Sequence, residues 1–173
     1  GVAIVPDANE NLTIDFGFHG LALGERVFLD TNTVNGALDA DEYGVGGVTV
    51  ELHAAGDDTL LDSTITDAQG RYLFLGLDDG ASYVVTIPAS QFVDGAPLEG
   101  YTSTTANGEP APDPDGDIDS DDNGLLPGGG AGADVDSLAV TLTAADEPVA
   151  DDDTLPEGAD IGPIDDVNTN LTL

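Results

Sequence analysis

The sequence predicts an all-β domain, a β-sandwich whose strands are joined by long acidic loops. Three observations indicate this fold class. Apolar residues make up 40% of the chain and fall in short runs rich in β-branched residues. Turn sequences containing Gly, Asn and Asp separate these runs, a spacing typical of sandwiches. No stretch of ten residues has a convincing helical pattern, and only one turn of helix is expected, over residues 89–93.

The predicted strands follow one another along the chain, with turns such as Asn35-Gly36 and Gln69-Gly70 between them. Two long loops, 107–135 and 144–166, interrupt the pattern. Loops of this length are uncommon unless they are functional or disordered, and bound ions are a physical way to order them. Strands are expected at residues 12–18, 26–29, 48–53, 60–66, 72–75, 83–87, 101–105, 138–143 and 167–173.

The chain is strongly acidic, with 35 Asp and Glu against two Arg and no Lys, for a formal net charge of −33. A nucleic acid partner is excluded because its binding needs a cationic surface. Direct association with an anionic membrane is excluded for the same reason. So much charge repels itself unless divalent cations bind or external salt screens it. Bound cations and a saline habitat both account for the composition, and no Cys is present to form a disulfide.

The two ends of the chain resemble each other. Residues 9–14 read NENLTI and residues 168–173 read NTNLTL, an offset of 159 positions that also aligns Asp7 with Asp166. Such self-similarity is typical of a tandem repeat, although two similar strands could also match by coincidence. We expect residues 1–20 to be a strand that closes, or is donated to, a neighbouring repeat. Residues 21–173 are then the sandwich domain itself.

The segment 30–42, DTNTVNGALDADE, has the ligand spacing of an EF-hand loop with one residue inserted after Asn32. Calcium is a hard cation that takes six to eight oxygen ligands. Gly36 permits the sharp turn of such a loop, and strands rather than helices are expected on both sides. The alternative is an Asn-Gly hairpin turn with solvated acids. The expected ligands are Asp30, Asn32, Asn35, the carbonyl of Ala37, Asp39 and Glu42.

A second acidic segment, 113–124, alternates Asp with other residues. Alternate side chains of an extended segment project to one side, so their carboxylates are expected to converge on a cation that offsets their repulsion. The alternative is a solvated acidic loop. Asp67, in the turn before residue 71, is expected to join either site. The candidate ligands here are Asp115, Asp117, Asp119 and Asp121.

No catalytic constellation is evident, and we expect a protein that is not an enzyme. Paired carboxylates can hydrolyse glycosides, but here the acids lie in turn-rich sequence with no evident aromatic platform for a sugar. His19 and His53 lack the companions of a zinc site, and His53 is expected at the surface. Sequons at Asn11 and Asn170 are candidate glycosylation sites, with accidental matches as the alternative.

Several motifs together resemble the SdrD B-like domains, relatives of the collagen-adhesin B-type repeats. They are LGERVFLD at residues 23–30, the calcium-type loop, GVGGVTV at 44–50, TDAQGRYLF at 66–74 and NLTIDFGF at 11–18. The resemblance implies an immunoglobulin-like sandwich of the prealbumin or collagen-adhesin B type, Ca²⁺ binding, and a place in bacterial or archaeal surface proteins. Collagen-adhesin relatives often form an internal Lys–Asn isopeptide bond, which a chain without Lys cannot form.

We therefore expect an extracellular, calcium-binding structural repeat that forms a unit of a stalk, fibre or filament. Its expected partners are neighbouring copies or repeats, joined by strand complementation, with no nucleic acid and no direct membrane insertion. The alternative is a cell-surface adhesin domain whose loops contact a host or cell-surface ligand.

Overall fold

The fold is all-β and sandwich-like. It is described by a computed structural model for residues 20–31, 36–103, 122–125, 132–148, 155–156 and 169–171. These residues include no α-helix, only a 3₁₀ turn at Ala89–Phe92 where one turn of helix is predicted. The strands are β1 Leu21–Arg26, β2 Phe28–Leu29, β3 Tyr43–Gly44, β4 Thr49–Ala54, β5 Leu60–Ile65, β6 Arg71–Leu77, β7 Ser82–Ile87, β8 Val135–Asp136, β9 Val140–Thr141 and β10 Thr169–Asn170.

Two main sheets and one hairpin make up the described fold. The first sheet has the order β10-β1-β6, with β1 antiparallel to β6 and parallel to β10. The second has the order β5-β4-β7-β8, and β9 also pairs with β7. The separate hairpin joins β2 to β3. This arrangement leaves β5 at one edge of the second sheet and β10 at one edge of the first.

The core lies where apolar side chains of the two sheets meet. Alternate residues are buried in β4 and, apart from the additional buried Thr86, in β7, as expected for strands with one face on a core. The first four residues of β1, the middle strand of its sheet, are all buried, so both faces of the strand are covered there. Tyr72 and Phe74 on β6 pack edge to face with ring centroids 6.0 Å apart. The largest fully buried apolar side chains are Phe74, Leu21, Leu23, Leu52, Leu142, Val48, Val50 and Val140.

The predicted strands in the middle of the chain are confirmed, and those nearer its ends differ. Strands β4, β5, β6 and β7 match the predictions within one or two residues. The strand predicted at 26–29 is wrong in its start, because β1 already begins at Leu21. The prediction at 101–105 is wrong for its described residues 101–103, which form no strand. The prediction at 12–18 lies outside the described residues.

Candidate functional site

The EF-hand-type loop is framed by the hairpin of β2 and β3. Phe28 pairs with Gly44 and Leu29 pairs with Tyr43. The next two positions toward the loop are Asp30 and Glu42, its first and last predicted ligands. The antiparallel register therefore brings the two ends of the loop together. The prediction that strands flank this loop is confirmed.

The carboxylates at both ends of the loop turn inward and accept hydrogen bonds from backbone N–H groups. Gly36 N–H donates to Asp30 Oδ2 at 2.8 Å, and Gly36 has the left-handed φ of 75° that a sharp turn requires. Glu42 accepts from Thr31 N–H at Oε1 (2.5 Å) and from Asp39 N–H at Oε2 (3.1 Å). Glu42 thus bridges the beginning and the end of the loop. These contacts fix the positions of both side chains within the loop.

The donor chemistry of this loop fits a hard cation. Its described candidate ligands offer only oxygen, from the carboxylates of Asp30, Asp39 and Glu42 and the carbonyl of Ala37. Within the described residues, no three Asp, Glu or His side chains come close enough together to hold a metal ion. Asn32 and Asn35 lie outside those residues. The described part of the loop therefore offers oxygen atoms but forms no metal site by itself.

The end of the second acidic segment contacts the first loop. Asp122 N–H donates to the carbonyl of Gly36 at 2.7 Å, and Asp122 Oδ1 accepts from Gly124 N–H at 2.9 Å. Leu125 then bridges to Asp136 of β8, which anchors this segment on the second sheet. Sequence reasoning missed Asp122, although it directly follows the alternating run. The predicted ligands Asp115, Asp117, Asp119 and Asp121 lie outside the described residues.

Asp67 has a local structural role. Its Oδ1 accepts from Gln69 N–H at 2.8 Å and from Arg71 N–H at 2.9 Å, and its backbone also pairs with Arg71. An Asp side chain that binds the backbone two residues on is a common turn device. Asp67, which the sequence suggested as a ligand of either metal site, therefore stabilises the turn between β5 and β6.

Asn170 lies in the interior. Its side chain is fully buried, and its Nδ2 donates to Glu147 Oε2 at 3.2 Å. Nδ2 is the atom to which an N-linked glycan would be attached. The folded position of Asn170 therefore does not fit glycosylation, because Asn170 lies on a paired strand and is fully buried. The other candidate, Asn11, lies outside the described residues.

His53 on β4 is held between two acids. Its Nδ1 lies 3.1 Å from the Asp58 carbonyl and 3.2 Å from Asp58 Oδ1, and its Nε2 lies 3.2 Å from Glu51 Oε2. Burial lowers the pKa of the ring, but the hydrogen bonds and charges of Asp58 and Glu51 outweigh burial and raise the pKa above 6.5. The side chain is 13% exposed, so His53 lies at the surface but is largely covered by its two acidic partners.

The raised pKa gives a pH dependence to stability. The folded state holds the His53 proton more tightly than the unfolded state, so this stabilisation is full below pH 6.5 and is lost as pH rises through the folded-state pKa. We expect at most about 1 kcal/mol, as for partly exposed ion pairs. Urea unfolding of the wild type and His53→Gln at about pH 5.5 and about pH 8.5 measures it. A difference between the two proteins that does not shrink at the higher pH contradicts this assignment.

Two tyrosine side chains are exposed. Tyr43, directly after the loop, is 63% exposed, and Tyr101 is 47% exposed. A cavity of about 200 Å³ opens between the two sheets near Asp30 and Asp122, with Tyr101 in its lining.

No helix among the described residues has the length and apolar character needed to cross a membrane.

Comparison with known proteins gives a consistent family match. The model of the SdrD B-like domain family matches residues 21–125. Serine-aspartate repeat-containing protein D of Staphylococcus aureus (strain Newman) is 38% identical over 104 residues, which cover 59% of this chain and 7% of that protein. Serine-aspartate repeat-containing protein F of Staphylococcus epidermidis is 38% identical over 101 residues, 57% of this chain and 5% of that protein.

A protein of a third organism is also similar. Colossin-A of Dictyostelium discoideum is 34% identical over 120 residues, which cover 58% of this chain and 1% of that protein. The chain thus spans only a small part of these relatives. No solved structure matches the chain.

Proposed function

The chain belongs to the SdrD B-like domain family, and from this premise we propose that it is an extracellular, calcium-binding structural repeat. The resemblance seen in its motifs is confirmed by the family match. The relatives are far longer proteins, and two carry the word "repeat" in their names. We extend the all-β fold to the immunoglobulin-like sandwich of collagen-adhesin B-type repeats. The role is mechanical and not catalytic.

The observation that carries the proposal is the pair of inward-facing carboxylates at the end of the β2–β3 hairpin. Asp30 and Glu42 stand at the two ends of a loop whose candidate metal ligands are all oxygen atoms. Both carboxylates also accept hydrogen bonds from backbone N–H groups of the loop. Calcium would supply charge neutralisation and cross-link the two halves of the loop. The residues proposed to hold it are Asp30, Asn32, Asn35, the carbonyl of Ala37, Asp39 and Glu42.

A second ion is proposed for the acidic segment that ends on the first loop. The hydrogen bond from Asp122 to Gly36 supports coupling, because an ion that orders either segment restrains the other. With a net charge of −33, bound cations would also relieve repulsion in the folded chain. The proposed ligands are Asp115, Asp117, Asp119 and Asp121.

We place this repeat at a cell surface or in an extracellular filament, next to copies or repeats of the same kind. A stalk or fibre unit must resist unfolding without disulfides, since the chain has no Cys. Nor can it use a Lys–Asn cross-link. Bound calcium is the remaining stiffener that its composition offers.

Removal of calcium tests this function. A ligand that binds only the folded state at 100 times its Kd stabilises by about 2.7 kcal/mol, which raises the Tm of a chain of this size by roughly 5–10 °C. We expect EDTA to lower the Tm by about that amount relative to millimolar calcium, in calorimetry at moderate salt. High salt without calcium is the control for general screening. An unchanged Tm in EDTA at moderate salt rejects the calcium role.

An adhesin domain is the second candidate. The exposed rings of Tyr43 and Tyr101 favour it, because aromatic residues are enriched at binding hot spots. A cell-surface or host molecule would be the ligand, contacted by the loops. We prefer the structural role, because the loop carboxylates have a specific arrangement and the two rings define no ligand.

A further inference from the structure

Strand β10 fills a narrow, buried position beside β1. Among the described residues, two pairs hold it in register, Ala22 with Thr169 and Leu23 with Asn170. Yet Thr169, Asn170 and Leu171 are 3%, 0% and 5% exposed. Without β10, one edge of β1 would lose its backbone partners in the core of the domain. We call this position, bounded by β1 and Glu147, the β1 slot.

The β1 slot has a specific recognition group that belongs to the body of the domain. Glu147 is 6% exposed, and its Oε1 accepts from Thr143 N–H while its Oε2 accepts from Asn170 Nδ2. The segment before Glu147 is tied to the turn ahead of β7, because Leu142 N–H donates to Ala81 O and Ala144 N–H donates to Asp79 Oδ1. Glu147 is therefore positioned independently of β10. Its carboxylate therefore favours a strand that places a side-chain amide N–H at the position of Asn170.

The chain carries a second segment with the same key residues. Asn11-Leu12-Thr13 repeats Asn170-Leu171-Thr172 in the same chain direction, so it fits a parallel pairing with β1. In that register Asn11 presents its amide to Glu147, and Leu12 takes the place of Leu171. A slip of one residue would remove the amide from Glu147, which fixes the register.

We propose that copies of this chain join through the β1 slot, where residues 10–14 of one copy replace residues 169–173 of another. The proposal rests on the repeat role proposed above and specifies the contact between neighbouring copies. It identifies Glu147 as the group that selects the incoming strand and Asn11 as the residue selected.

The sequence also determines which strand binds the β1 slot more strongly, the chain's own β10 or residues 10–14 of another copy. Glu10 corresponds to Thr169, which is 3% exposed. A carboxylate buried there is unfavourable, so the chain's own β10 is the stronger occupant. Exchange therefore increases when β10 is weakened or when Glu10 is replaced by Thr.

Matched substitutions test the proposal. Asn170→Asp sets a carboxylate against Glu147 and weakens only the chain's own strand, whereas Asn11→Asp makes the same change in the incoming strand. By light scattering after size exclusion, we expect Asn170→Asp to associate with a constant about tenfold or more above that of the wild type. The double variant Asn11→Asp/Asn170→Asp should return to a monomer. If Asn170→Asp stays monomeric, or if the double variant associates equally, the proposal is wrong.

A peptide keeps the test decisive where Asn170→Asp is too unstable to isolate. A labelled peptide of residues 8–18, present in excess, should bind the wild-type chain one to one in competition with β10 and raise its Tm. The same peptide with Asn11→Asp should bind about tenfold more weakly, and the peptide with Glu10→Thr more tightly. Equal binding of the first two peptides overturns the role of Glu147. Thermal unfolding of the wild type in EDTA tests calcium binding separately. The calcium-binding role and the strand exchange can therefore each be rejected without the other.

Discussion

Asp30→Asn is expected to weaken calcium binding by about tenfold or more, while stability in EDTA stays close to that of the wild type. Calcium affinity depends on the number of charged oxygen ligands, and a hydrogen bond or ligand contact to a charged group is worth about 1.5–3 kcal/mol. The amide of Asn keeps an oxygen that can accept from Gly36 N–H, the contact that Asp30 makes at 2.8 Å. The substitution therefore separates the metal from the fold of the loop. Calorimetric titration with calcium measures the affinity.

A matched control removes the same charge elsewhere. Asp62 lies on the edge strand β5, and its carboxylate accepts only locally, from Ser63 N–H. Asp62→Asn should leave calcium affinity unchanged within a factor of about two, because an exposed charge in another sheet is largely screened. If the two variants lose affinity equally, net charge and not the loop governs binding. If neither loses affinity, Asp30 is not a ligand.

The same loop shows what sequence could predict and what it could not. The spacing of Asp30, Gly36 and Glu42 predicted a turn with acids at both ends, because that pattern is local. The contact of Asp122 with Gly36 joins positions far apart in the chain. No local pattern encodes such a contact. For that reason the sequence predicted two separate acidic sites, and the structure brings their ends together.

Strands with one face on the core were predictable, and fully covered strands were not. β4 and β7 alternate buried and less buried residues, a pattern that is visible in the sequence. β1 is buried on both faces at Leu21–Leu23, so no alternation marks its start. Strands β3 and β8 are two residues long and exist only through their partners. The division of the chain at residue 20 stays a prediction.

Three polar residues illustrate how far the sequence alone predicts the role of a side chain. Asp67 and Asp30 look alike in sequence, each an Asp that precedes a turn glycine. Asp67 binds the amides of its own turn, while Asp30 faces Glu42 across a hairpin. Asn170 likewise carries a sequon, but parallel pairing with β1 buries it. In each case the surrounding backbone decides the role of the side chain.

Gly44→Ala is expected to cost about 3 kcal/mol or more of folding free energy, and so to lower the Tm by roughly 6–12 °C. A Cβ at Gly44 would lie 1.7 Å from the Gln69 carbonyl oxygen and 2.9 Å from the Gly70 Cα. Both neighbours are backbone. They are held in place, since Val27 N–H donates to Gly70 O and Val45 N–H donates to Val27 O. No side-chain rotation can relieve the clash.

The same change should also weaken calcium binding, because Gly44 pairs with Phe28 at the base of the loop. A shift of β3 away from the turn at Gly70 moves Glu42 relative to Asp30 and separates the two ends of the site. Gly56→Ala is the matched control, since a Cβ at Gly56 meets nothing within 4 Å. That variant should change stability by about 0.5 kcal/mol or less. If Gly44→Ala melts like Gly56→Ala and binds calcium like the wild type, then the close packing of the hairpin on the turn does not hold the loop.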